Sequence, residues 1–165
     1  ELIIADEPTT ALDVTVQARI LELMENLKEK LNTSVLMITH DLGVVAEICE
    51  RVAVMYAGRI VEYTDVETLF LRPRHPYTWG LINSVPKIDK EMKRLSTISG
   101  VVPSPLHFPA GCKFNTRCSF ADESCFNSEP ELKEIEPGHK VRCWHFDKLE
   151  KRIEQVGVEL DSSEA

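Results

Sequence analysis

The sequence predicts an α/β fold, a parallel sheet with flanking helices, and three stretches carry that expectation. Leu2-Ile3-Ile4-Ala5 is an uninterrupted apolar run, residues 14–31 repeat apolar positions at three- and four-residue steps, and Ser34 to Thr39 is a second, mostly apolar run. Runs without alternation suit parallel strands covered on both faces. Strand, helix and strand in close succession form the crossover unit of a parallel sheet.

The first run ends in Asp6-Glu7-Pro8. Pro8 cannot extend a hydrogen-bond ladder, so the two carboxylates are expected at the strand's carboxyl end, where open α/β sheets bind ligands. Neighbouring strand residues point to opposite sides, which lets Asp6 serve a metal-bound water and Glu7 a reacting one. Asp13 is placed to cap a helix whose apolar positions are Val16, Ile20, Leu23, Met24, Leu27 and Leu31. Asn32-Thr33 breaks that pattern. Beyond the second strand stands His40, on the same sheet edge as Glu7, and Asp41 is a helix cap.

A helix is expected from about Leu42 to Cys49, followed by a hairpin of residues 51–56 and 60–63 that turns at Ala57-Gly58-Arg59. Thr64 with Glu67 reads as a capping box for a short helix that Pro73 ends. Pro76 starts another, over the segment His75 to Pro86. These parts read as scaffold. The aromatic-rich His-Pro-Tyr-Thr segment is expected to pack on the core rather than to form a ligand site.

Residues 2–7 resemble the Walker B strand of ATP-binding-cassette (ABC) ATPases, residues 10–13 their D-loop, and Thr39-His40-Asp41-Leu42 their switch-histidine loop. The resemblance implies part of a P-loop NTPase sheet. Asp6 would bind Mg²⁺ through water, and Glu7 would be the general base for water attacking the γ-phosphate of ATP. His40 would contact that phosphate, and Asp13 would face a second ATPase subunit, identical or not, across the nucleotide. Residues 75–86, 98–103 and the later cysteines narrow the resemblance to the ATP-binding subunits of oligopeptide and dipeptide importers, over residues 1 to about 146. It implies transmembrane permease subunits as partners, contact with peptide only through them, and a peripheral place on the cytoplasmic face of the membrane.

No G-x-x-x-x-G-K-[ST] phosphate loop and no Leu-Ser-Gly-Gly-Gln signature is found, and the chain opens on Glu1. The expectation is a carboxy-terminal piece which alone neither binds nor hydrolyses ATP, since the amides and lysine that hold phosphate are absent.

Cys112, Cys118, Cys125 and Cys143 fall in a proline-rich stretch with the spacing C-x₅-C-x₆-C-x₁₇-C, while Cys49 stands apart. A segment with few core formers needs a staple. Spacing leaves three open. Disulfides are disfavoured in a reducing compartment, zinc usually takes pairs two to four residues apart, and a cubane iron–sulfur cluster accepts four thiolates from irregular loops. The importer resemblance implies a [4Fe–4S] cluster on these four cysteines, structural in role or redox-sensing, with Zn²⁺ as the alternative. His75, His107, His139 and His145 are spare ligands that spacing does not recommend.

The net charge of −8 and pI near 5.2 disfavour nonspecific nucleic-acid binding. No apolar run reaches membrane-spanning length and no signal peptide is evident. The expected division is an ATPase part over 1–86, a loop-rich cysteine module over 87–146 and a charged tail over 147–165. Lys87 to Arg94 and the tail read as solvated tethers. Two rival classes remain: an ABC-type ATPase of DNA repair or chromosome maintenance, which would lack the His75 to Pro86 segment and the cysteines, and a non-enzymatic metal-binding module on a degraded ATPase scaffold. Intact Asp6, Glu7, Asp13 and His40 argue against decay.

Overall fold

In a computed structural model, residues 1–85 and 97–149 are described, so the expected connector and most of the expected tail lie outside the described residues. The chain is mixed α/β and separates after Glu50 into two compact units, residues 1–50 and 51–165. That division does not coincide with the boundaries read at 86 and 146.

The first unit is the expected crossover. Strand β1 (Leu2–Asp6) pairs in parallel with β2 (Ser34–Ile38), in a register that sets Leu2 against Ser34 and Asp6 against Ile38. Between them runs helix α1 (Val14–Leu31), started by the Asp13 carboxylate, which accepts the Val16 amide at 3.0 Å. It stops at Asn32, whose left-handed backbone carries its amide back to the Glu29 and Lys28 carbonyls. Helix α2 (Leu42–Ile48) is capped by Asp41 as the sequence predicts.

Coverage departs from expectation. Strands β1 and β2 each alternate between exposed and half-buried residues, with Leu2 and Ile4 59% and 63% exposed. One face of the pair is thus half-covered and the other open, because two strands and two helices supply cover for one side only. On α1 only Leu21 is buried, with Ile20 and Met24 half-buried beside it, while Val16, Leu23, Leu27 and Leu31 are exposed. Periodicity registered an apolar helix with more apolar surface than this unit covers.

In the second unit, β3 (Arg51–Tyr56) and β4 (Arg59–Asp65) form a hairpin turning on Ala57 and Gly58, both with positive φ. This is the backbone a tight two-residue hairpin turn needs. Strand β4 runs on to Asp65, which displaces the expected capping box. Asp65, not Thr64, caps helix α3 (Val66–Leu71) by accepting the Thr68 amide at 2.8 Å. Helix α4 (Pro76–Ser84) begins on Pro76, with His75 Nδ1 accepting the Tyr77 amide. Tyr77 packs its ring 4.7 Å from Tyr56 and 5.5 Å from Phe114, so the aromatic segment joins the core as predicted.

After α4 the chain forms helix α5 (Glu123–Asn127) and strands β5 (Lys133–Glu136) and β6 (His139–Val141). Strand β6 pairs antiparallel with β4, giving one sheet in the order β3-β4-β6-β5. The cysteine-bearing stretch therefore shares a sheet and a core with the hairpin. Val54, Tyr56, Val61, Leu69 and Phe114 make that core, with Cys112 and Cys118 packed against it.

A register shift opposite Val54 and Met55 turns both Val61 and Glu62 inward. Glu62 is fully buried, and its carboxylate accepts the Arg74 amide at 2.7 Å and the His75 amide at 3.0 Å, with His139 Nε2 at 2.8 Å. One acid thus joins β4, the turn before α4, and β6. Burial lowers the pKa of the neighbouring His75 to about 4, keeping its imidazole neutral as a capping acceptor.

Candidate functional site

Glu7 sits where β1 gives way to loop, and its backbone is left-handed, at φ 46°. Such a conformation persists in a non-glycine residue only when its surroundings enforce it. The Glu7 amide donates to Ile38 O at 2.8 Å, continuing the parallel ladder by one rung, and its carbonyl accepts the Thr10 amide at 3.2 Å. The side chain is held at both oxygens. Thr10 Oγ1 donates to Oε2 at 2.8 Å, and His40 Nδ1 lies 3.2 Å from Oε1.

Residues 33 positions apart thus meet because parallel pairing brings the ends of β1 and β2 to one edge. The Thr10 hydroxyl first, and then His40, holds the Glu7 carboxyl below its ordinary pKa. An ionised carboxylate, oriented at both oxygens and still about half exposed, is equipped to take a proton from water. Asp6 is exposed at the last rung of β1. Asp13 is exposed as well, with one oxygen committed to capping α1. Thr10 was missed by sequence reasoning; the available signal was a hydroxyl three residues after the acid.

The four later cysteines come from four places: Cys112 and Cys118 flank a 3₁₀ turn (Asn115–Arg117), Cys125 lies on α5, and Cys143 follows β6. All are free thiols, and each lies within electrostatic reach of others in the set. Burial, then crowding by neighbouring thiols, raises the pKa values of three of them: Cys112 upward, Cys118 to about 11 and Cys143 to about 12. Thiol sulfurs are the donor type that a thiolate-bound metal centre uses. Backbone amides already face the sulfurs, Phe120 N–H to Cys118 Sγ at 3.4 Å and His145 N–H to Cys143 Sγ at 3.3 Å. Cys49 stands in the other unit.

Gly111 permits this closure. The Cys112 amide donates to Cys125 O at 2.8 Å, and a Cβ on Gly111 would lie 2.2 Å from that same oxygen and 2.7 Å from Phe126 O. Both obstacles are backbone. Gly111→Ala is expected to push the two loops apart and to cost about 3 kcal/mol at the upper end for overpacking. A urea midpoint of the purified variant checks this; an unchanged midpoint would show that the loops yield easily.

Residues 61–125 match the family described as "Oligopeptide/dipeptide transporter, C-terminal region". Over 147 residues, 89% of this chain, the sequence is 53% identical to the oligopeptide transport ATP-binding protein AppD of Bacillus subtilis. Over most of its length the chain is thus similar to an ATP-binding protein of a peptide transporter. It is also 52% identical over 144 residues, 87% of the chain, to the oligopeptide transport ATP-binding protein OppD of Haemophilus influenzae. To the dipeptide transport ATP-binding protein DppD of Lactococcus lactis it is 51% identical over 147 residues, 89% of the chain. The chain spans less than half of these relatives, 45%, 44% and 42% of their lengths, and matches their carboxy-terminal part. No helix among the described residues is long and apolar enough to cross a membrane.

Proposed function

We propose that this chain is the carboxy-terminal part of the ATP-hydrolysing subunit of a peptide importer, and that it carries the general base of that reaction. The observation that bears most weight is the meeting of Glu7 and His40 at one edge of a parallel strand pair, with Thr10 holding the other carboxylate oxygen. Phosphoryl transfer to water is mostly positioning and charge stabilisation. Glu7 orients and deprotonates the attacking water, His40 holds Glu7 and reaches the γ-phosphate of ATP, and Asp6 binds Mg²⁺ through water. Asp13 faces a second ATPase subunit. Permease subunits in the membrane carry the peptide, and the subunit works peripherally at the cytoplasmic face. The test is ATP hydrolysis and peptide uptake by the assembled transporter carrying Glu7→Gln.

Cys112, Cys118, Cys125 and Cys143 would hold a [4Fe–4S] cluster, a reading supported by their irregular spacing and shared burial. Such a centre would supply a covalent staple, and redox chemistry if it is exercised. The chain's own contribution is to fix four thiolates from separate elements and to direct two backbone amides at them. Protein purified without oxygen is expected to be brown, with about four iron atoms per chain. Colourless protein with one zinc would assign the quartet to Zn²⁺ instead.

A further inference from the structure

Three of the four cysteines have a basic neighbour in the chain: Lys113 after Cys112, Arg117 before Cys118 and Arg142 before Cys143. A fourth base, His145, forms an ion pair with Asp122 at 2.7 Å, beside Cys125. The first three reach backbone carbonyls. Lys113 Nζ donates to Pro109 O, and Arg142 donates to Ile60 O and Pro130 O. Arg117 holds two successive carbonyls, Nε donating to Ser99 O at 2.8 Å and Nη2 to Ile98 O at 2.9 Å. We propose that Arg117 is a positioning residue of the cysteine centre, and that a metal held by the quartet locks Arg117 onto residues 98 and 99, making the centre a latch on that segment. This rests on the reading that the quartet holds a metal, whether iron or zinc.

The clamp is built from several contacts. The Arg117 guanidinium lies 5.9 Å from the ring of Tyr56 and 5.9 Å from that of Phe114, and Nη1 is 3.5 Å from Tyr56 Oη. A planar fork over aromatic rings, with two carbonyls in reach, is a geometry that an ammonium does not reproduce. Gly100 follows at φ 80°, and a Cβ there would lie 3.2 Å from Arg117 Cγ. Ile98 packs on the same core as Cys118 and presses on α4, where a Cβ on Gly80 would come within 2.8 Å of Ile98 Cγ1. Packing leaves a gap here. A cavity of about 220 Å³ is lined by Trp79 of α4, Ile98, Phe114 and Arg117, so directed bonds rather than dense contact fasten residues 97–99.

Arg117 and Cys118 share a peptide link at the end of the 3₁₀ turn. The Arg117 amide donates to Phe114 O at 3.0 Å and the Cys118 amide to Asn115 O at 3.4 Å, and both thiols flanking the turn are free. A metal bound to Cys112 and Cys118 closes the turn into a ring and fixes the backbone from which Arg117 projects. Without it, single backbone bonds hold the turn. The coupling is reciprocal: whatever the metal adds to the clamp, the clamp adds to metal binding.

Trypsin reads the clamp directly. Cleavage after Arg117 requires its side chain to leave residues 98 and 99, and proteolysis follows the population of the open form. The complete ATP-binding subunit, purified without oxygen, is compared with the same protein stripped of metal with its thiols kept reduced, and each cut is timed by mass spectrometry. Cleavage after Arg117 is expected to be at least about fivefold faster without metal, the lower end of ordinary coupling between sites. Cleavage after Arg51 is expected to stay the same. Arg117→Lys keeps the trypsin site and the charge but meets one carbonyl instead of two. It is expected to speed that cut in the loaded protein, to release metal to a chelator at least about fivefold faster, and to alter the absorption spectrum of the centre. Equal cleavage after Arg117 with and without metal overturns the proposal. So does an equal rise at Arg51 and Arg117, which would mean that metal holds the whole unit. Unchanged metal release and spectrum in Arg117→Lys overturn the positioning role. If neither purified nor reconstituted protein holds metal, the cluster and zinc readings fall and this proposal with them; metal present with unchanged cleavage overturns this proposal alone.

Discussion

Glu7→Gln, made in the complete ATP-binding subunit assembled with its permease, is expected to slow ATP hydrolysis by about 10²–10⁴-fold, the usual contribution of a general base. Nucleotide binding should persist. The exchange is close to isosteric: the amide oxygen still accepts from Thr10 Oγ1, and the amide nitrogen can donate to His40 Nδ1, so the two contacts that fix the side chain survive. What disappears is the negative charge and the proton-accepting oxygen. A large loss of turnover with unchanged ATP affinity therefore reports on chemistry rather than on misplacement. Steady-state hydrolysis and a nucleotide-binding isotherm measure the two quantities side by side. A rate within twofold of the parent would remove Glu7 from the mechanism, and the reading of this edge as a hydrolytic site with it.

Glu62→Ala is the second large effect, and it is one of stability. The buried Glu62 carboxylate holds two backbone amides and the His139 ring, so its removal orphans three donors at once in a place water does not reach. Breaking a buried charged pair by deleting one partner costs about 3–5 kcal/mol. Much of that is the penalty on the groups left behind. Glu62→Gln, which retains an acceptor oxygen, should cost less. Urea unfolding of the two variants checks the order; a cost below about 1 kcal/mol for alanine would mean that the donors find other partners. The same carboxylate joins β4 to β6, so metal content at the cysteines should fall with stability in Glu62→Ala.

The parallel pair, the helix between its strands and the caps at Asp13 and Asp41 were legible because each follows from local pattern. An apolar run, a 3.6-residue period and an Asp before a helix are readable within a window of a few residues. The capping box at Thr64 was misplaced because the hairpin partner extended β4 to Asp65, a decision made by cross-strand pairing. Coverage was misread in the same way. Apolar β1 and α1 announce surfaces that want cover, and residues 1–50 leave Ile4 and Leu23 exposed.

By itself, the sequence determined the order of the elements, the carboxylate pair at the end of β1, the histidine at the end of β2 and a quartet of cysteines set apart from the fifth. Those rest on residue type and spacing along the chain. Tertiary structure alone decided that Thr10 and His40 grip opposite oxygens of Glu7, that Glu62 is buried beneath three donors, and that one of four similar histidines stands beside Cys125. Each of those depends on atoms brought together by pairing and packing, and distance in space between residues far apart in the chain is written in no local pattern.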